Sequence, residues 1–153
     1  MLALGWGLQH AALSSPQLLG RPAPHLAVQL SNGARLDVTD FRGRPVVVNF
    51  WASWCGPCVQ ESPVLSAGQV RYPQVEFIGA AMKDSAGGVA AFERGHQHAY
   101  VVGLIAEGSW QAYGVIGPPV TVFIDSQGLV AATFSGPLDG PTLDHYLALI
   151  TTQ

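Results

Sequence analysis

The sequence predicts an α/β fold, a mixed central sheet flanked by helices, with an added β-hairpin near the N-terminus. Three observations carry that prediction. Pro45–Trp51 and Val75–Met82 are continuous runs rich in β-branched and other apolar residues, the pattern of strands buried on both faces. Each run is followed by a segment with helical spacing, the alternation expected of an α/β layer architecture. Two glycine-ended turns, Ser31-Asn32-Gly33 and Ser126-Gln127-Gly128, each stand between two strand-like segments and predict hairpins.

The elements follow in order. Residues 14–24, rich in Ser, Pro and Gly, read as an extended lead-in. His25–Leu30 and Ala34–Val38 form the first hairpin, and Thr39–Gly43 is a short helical turn ended by glycine. The strand Pro45–Trp51 runs into a helix from Gly56 to about Val70, with a kink expected at Pro63 because proline removes one helical N–H. After the strand Val75–Met82, Ser85–Arg94 is helical, with Val89 and Phe92 on one face and Gly95 as its stop. Tyr100–Ile105 is a further strand, and Glu107–Tyr113 a short helix closed by Gly114. Val120–Asp125 and Leu129–Phe134 form the second hairpin. Asp139–Thr151 is the last helix, capped by Asp139, with Pro141 in its first turn and Leu143, Tyr146, Leu147 and Ile150 as its buried stripe.

Composition narrows the function. A chain of 153 residues with 48% hydrophobic content suits one domain with a substantial core. A net charge of −3 and the lack of any basic cluster exclude a nucleic-acid footprint. Met1–Leu8 is apolar but too short to span a bilayer, and no positive segment precedes it. Residues 1–17 therefore read as an anchor remnant or a flexible lead-in, and 18–153 as the folded domain.

The chemistry rests on the chain's two cysteines, Cys55 and Cys58, in Trp51-Ala52-Ser53-Trp54-Cys55-Gly56-Pro57-Cys58. A C-x-x-C pair where a strand meets a helix marks a thiol–disulfide site. The spacing sets the thiols one helical turn apart, within disulfide reach. The helix N-terminus favours a thiolate at Cys55, the attacking species in exchange, and places Cys58 to resolve the mixed disulfide. Three other readings compete. A structural staple closing so short a loop contributes only roughly 2 kcal/mol in the chain-entropy model. A zinc site usually takes four ligands, and His96 and His98, two residues apart, fall on different helix faces. Two ordinary buried cysteines are the third. Glu61, three residues after Cys58, shares its helix face. Trp51 belongs with the core, and Trp54 with a rim where a partner docks.

The segment Val48–Cys58 resembles the thioredoxin superfamily, and within it the extracytoplasmic TlpA/ResA/CcmG (DsbE) branch. Gly20-Arg21-Pro22-Ala23-Pro24, Asp40–Arg44, Tyr113–Asp125 and Phe134–Leu138 resemble further segments of that branch, so the likeness spans about residues 18–150. The resemblance implies a thioredoxin-like fold and a protein-disulfide reductase, with Cys55 and Cys58 as redox pair and Glu61 as a partly buried acid that exchanges protons with Cys58. It implies a cis bond at Pro118–Pro119, with Pro119 beside the cysteines. Substrate contact then falls to Trp54, Gly56, Pro57, Pro118 and Pro119. The implied setting is the periplasm or cell exterior, with tethering through a missing or truncated N-terminal helix. The implied partners are disulfide-bearing proteins, an apocytochrome c or a copper-site protein among them, and a membrane thiol transporter as electron source. A monomer without cofactor or metal is expected. Three positions depart from the pattern. Val120 stands where many CcmG-like members carry an acid, Pro118 replaces the usual non-proline, and Asn49 stands where cytoplasmic thioredoxin has a buried aspartate. A disulfide-forming oxidase and a non-redox copper-binding module using both thiols are the alternative functions.

Overall fold

A computed structural model describes residues 17–152; the lead-in reading of residues 1–17 lies, save for Gln17, outside them. Seven strands form one sheet: β1 (Leu26–Gln29), β2 (Arg35–Asp37), β3 (Val46–Trp51), β4 (Glu76–Ala81), β5 (Val101–Gly108), β6 (Val120–Ile124) and β7 (Val130–Ser135). Their order is β2-β1-β5-β4-β3-β6-β7. β3, β4 and β5 run parallel at the centre, and every outer pairing is antiparallel, so the sheet is mixed. Among the described residues the α-helices are α1 (Gly56–Arg71), α2 (Ala86–Gly95) and α3 (Gly140–Thr151).

Side-chain alternation along β3 divides the core in two. Val46, Val48 and Phe50 face one side of the sheet with Leu26, Val28, Tyr113 and Val115. Val47 and Trp51 face the other, packing with Leu65 of α1, Val89 and Phe92 of α2, and Leu143, Leu147 and Ile150 of α3. Asn49 has the parity of Val47 and Trp51, which turns its amide toward the helices. Residue type and position agree along this central strand: all six of its residues are buried, as a doubly covered parallel strand requires.

The helix α1 runs through Pro63 to Arg71. Proline has no N–H for the Val59 carbonyl, but the Ser62 hydroxyl donates to that oxygen at 2.9 Å. The helix expected from Glu107 instead begins at Trp110, as a 3₁₀ turn capped by the Ser109 hydroxyl, because β5 extends to Gly108. Gly108 pairs with Leu26, its φ is +80°, and a Cβ there would lie 2.2 Å from the His25 carbonyl oxygen. Only glycine lets the β1 backbone come that close. Gly108→Ala is expected to destabilise the fold by about 2 kcal/mol or more, from the left-handed backbone and the overlap together. Urea unfolding of the variant checks this.

Candidate active site

The site forms where β3 ends. The chain leaves Trp51, turns through Ala52–Trp54, and enters α1 with Cys55 as the N-cap, its backbone extended at φ −91° and ψ 105°. The Cys55 sulfur accepts the Cys58 N–H at 3.3 Å, so the cap that would usually be a serine or aspartate oxygen is the disulfide sulfur itself. Pro57 fits the first turn because the N–H it lacks would have no helical partner there. Cys55 and Cys58 are joined as a disulfide with Cα atoms 5.3 Å apart. Gly56 and Pro57 are exposed beside it. The chemistry of Cys55 suggests a partly exposed sulfur, but in this oxidised state Cys55 is 7% and Cys58 4% exposed. The bond to Cys58 and the capping contact turn the Cys55 sulfur inward onto the first turn.

The buried stripe of α1 is Cys58, Glu61, Ser62, Leu65 and Gly68, an i, i+3, i+4, i+7, i+10 pattern with an acid in its midst. Glu61 is only 2% exposed. Its Oε1 accepts the Leu138 N–H at 3.0 Å, and its Oε2 accepts from Asn49 Nδ2 at 3.4 Å. Asn49 spends its other amide hydrogen on Thr121 Oγ1 at 3.1 Å. Burial pushes the Glu61 carboxyl up to about 7, although both hydrogen bonds pull the other way. Tyr100 is also buried; burial first, and then the Glu61 charge, raises its phenol above the ordinary range.

Sequence reasoning missed Asn49 and Thr121, which bond each other, and Leu138; of the three, Asn49 and Leu138 bond the acid directly. A signal existed for the first two: each is a lone polar residue in an otherwise apolar strand, Val46–Trp51 and Val120–Ile124. Leu138 acts through its backbone and left no signal.

A second segment reaches the same end of the sheet. β6 begins at Val120, which pairs with Phe50, so Pro119 sits at the sheet end where β3 hands over to the cysteine loop. The Pro118–Pro119 bond is cis. The Pro119 carbonyl accepts the Gly136 N–H at 2.9 Å. Gly136 is two residues from Leu138, the donor to Glu61. A cavity of about 230 Å³ opens beside this segment, lined by Ile116, Pro118, Pro119, Val120 and Ser135 among others and by no charged group. Trp54 is 60% exposed, and its Nε1 donates to the Lys83 carbonyl at 2.8 Å. Trp51 is buried against Phe92, ring centroids 4.7 Å apart. His96 and His98 flank the Phe92 ring. Among the described residues no group of three or more His, Cys, Asp or Glu is placed to hold a metal ion.

A thioredoxin-like fold that presents a C-x-x-C disulfide at a helix N-terminus, with a buried acid one turn further on, defines a thiol–disulfide oxidoreductase. The chain belongs to the Redoxin family, whose profile matches residues 18–150. It is 29% identical to the thiol-disulfide oxidoreductase ResA of Bacillus cereus over 154 residues, covering 97% of this chain and 89% of that one. It is 31% identical to the thiol:disulfide interchange protein DsbE of Xylella fastidiosa over 134 residues, covering 85% and 68%. Among solved structures, a candidate DsbE from Chlorobium tepidum matches with a TM-score of 0.78 at 28% identity, over 86% of this chain and 97% of that one. A secreted Mycobacterium tuberculosis disulfide oxidoreductase, described as homologous to E. coli DsbE, matches with a TM-score of 0.68 at 26% identity, over 83% and 95%. The chain is therefore a thiol–disulfide oxidoreductase of the ResA/DsbE type.

Proposed function

We propose that the chain works as a protein-disulfide reductase, with Cys55 as nucleophile, Cys58 as resolving thiol and Glu61 as proton acceptor for Cys58. The observation that carries this is the buried Glu61 carboxyl, one helical turn from Cys58 and raised to about 7, where it can both take and give a proton near neutral pH. In the reduced protein the Cys55 thiolate attacks one sulfur of a substrate disulfide. That S–S bond breaks, a mixed disulfide forms, and the departing substrate thiolate takes a proton from water. The Cys58 thiol then passes its proton to Glu61. Its thiolate attacks the Cys55 sulfur and releases the second substrate thiolate, which is protonated in turn. The substrate gains two electrons and two protons, and the protein ends in the disulfide form seen here.

The direction of electron flow is supported by the Gly56-Pro57 dipeptide, which matches thioredoxin. Thioredoxin has a potential of about −270 mV, against about −120 mV for a strong oxidant. We place the protein in an extracytoplasmic compartment, held at the membrane through its N-terminus, with an apocytochrome c or a copper-site protein as substrate and a membrane thiol transporter as electron source. The resemblance to the TlpA/ResA/CcmG branch supports that setting. Among the described residues no helix is long and apolar enough to cross a membrane. Equilibration with glutathione or dithiothreitol buffers tests the direction. A potential below about −200 mV supports a reductase, and one near about −120 mV marks an oxidase.

Recognition carries its own expectation. The residue before the cis proline is well placed to pair main chain to main chain with an extended substrate, as an added strand does. Pro118 has no N–H and offers only its carbonyl. Pro118→Thr is therefore expected to tighten capture of an extended peptide disulfide by about fivefold, the worth of one net hydrogen bond. An unchanged Kd in a peptide titration contradicts that role for residue 118.

A further inference from the structure

The cysteine loop is held from outside by the turn that follows β4. Met82 donates its N–H to the Trp51 carbonyl at 2.8 Å. The carbonyl of the next residue, Lys83, accepts the Trp54 indole N–H. Asp84 accepts the Ser53 backbone N–H at 2.6 Å through Oδ2, and the Ser53 hydroxyl at 2.9 Å through Oδ1. The two residues immediately before Cys55 are thus both tied to one turn about thirty positions downstream. Lys83 adopts φ +48°, the only positive φ outside glycine among the described residues. That backbone aims its carbonyl at the indole while the Asp84 side chain reaches Ser53.

The seat is close-fitting. Ser85 caps α2 by accepting the Gly88 N–H at 3.0 Å. A Cβ on Gly88 would stand 2.5 Å from both Asp84 Oδ1 and Ser53 Oγ, so the first turn of α2 closes over the Asp84–Ser53 contact. Phe92, one turn further along α2, packs on Trp51. None of this is needed to bury Trp54, which stays 60% exposed. An indole that is exposed yet fixed by a protein acceptor is preorganised for docking, because its ordering is complete before a partner arrives.

We propose that Asp84 is a positioning residue for disulfide exchange: by holding Ser53 in register with the Lys83 carbonyl, it presents the exposed face of Trp54 to a partner polypeptide beside Cys55. This rests on the exchange reading given above.

The test is a double-mutant cycle on the full chain, with insulin as disulfide substrate and dithiothreitol as reductant. Asp84→Ala is expected to raise KM about tenfold while kcat stays within about twofold, the split expected when uniform binding is lost. Trp54→Ala is expected to do the same. The double variant should be no worse than Trp54→Ala, since both remove one contact. Asp84 accepts a backbone N–H at each oxygen, Ser53 at Oδ2 and Ser85 at Oδ1 at 2.8 Å, so Asp84→Asn sets its NH2 against one of them and should recover only part of the affinity. Exchange of the Trp54 indole proton, followed by NMR, should be slow in wild type and fast in Asp84→Ala. Additive losses, an unchanged KM, or equal indole exchange in wild type and Asp84→Ala would overturn the positioning role alone. A wild-type chain that leaves insulin disulfides intact would overturn the exchange reading beneath it.

Discussion

Cys58→Ala is expected to stop turnover and to leave the protein as a covalent adduct with its substrate. Without the resolving thiol, Cys55 still attacks, but the mixed disulfide has no internal route to release. Steady-state reduction of a protein disulfide should fall by roughly three orders of magnitude or more, the scale seen when one member of a catalytic unit is removed. Non-reducing electrophoresis should show an intermolecular disulfide through Cys55. Cys55→Ala should be equally inactive yet form no adduct, because Cys58 is the more deeply buried of the two and lies inside the helix. Adducts from both variants in equal yield would mean that the roles are not divided as drawn.

Glu61→Gln is expected to change both rate and stability, each with its own pH signature. The amide cannot take the Cys58 proton, so resolution should slow by about 10²-fold, at the lower end of general-base effects. The stability effect follows from linkage. The unfolded glutamate ionises near 4.5, and burial raises the folded one to about 7. The folded state thus binds this proton more tightly than the unfolded chain. The resulting stabilisation is fully present below about pH 4.5 and is lost as the pH rises through about 7. Its size is roughly 3 kcal/mol. The variant has no such proton to lose. Between pH 4.5 and pH 8, its stability relative to wild type should therefore move by roughly 3 kcal/mol in the variant's favour. Urea unfolding at the two pH values measures this directly. Parallel pH profiles would mean that Glu61 is not the buried titrating group.

Much of this site is written locally. Cys55, Cys58 and Glu61 lie on one helix, so spacing alone puts them on a common face, and the hydrophobic run of β3 leads into them. The two hairpins and the order of strands and helices follow from turn residues and periodicity, which act over a few positions. What lay beyond the sequence was set by contacts between distant segments. Glu61 meets Leu138 across 77 positions, and Asn49 meets Thr121 across 72. Ser53 meets Asp84 across 31. No local propensity encodes such pairings; they follow from strand register and from which face each strand turns to the helices. The early end assigned to β5 has the same origin. Glu107 and Gly108 have no strand propensity of their own, and it is pairing with β1 that holds them extended.

The division of labour between the two thiols is tested most directly by brief alkylation of the fully reduced protein near neutral pH, with each cysteine quantified by mass spectrometry. A thiolate at the helix N-cap should make Cys55 react first, with Cys58 labelled only slowly behind it. Faster labelling of Cys58 would contradict the assignment of nucleophile and resolving thiol on which the proposed reaction depends.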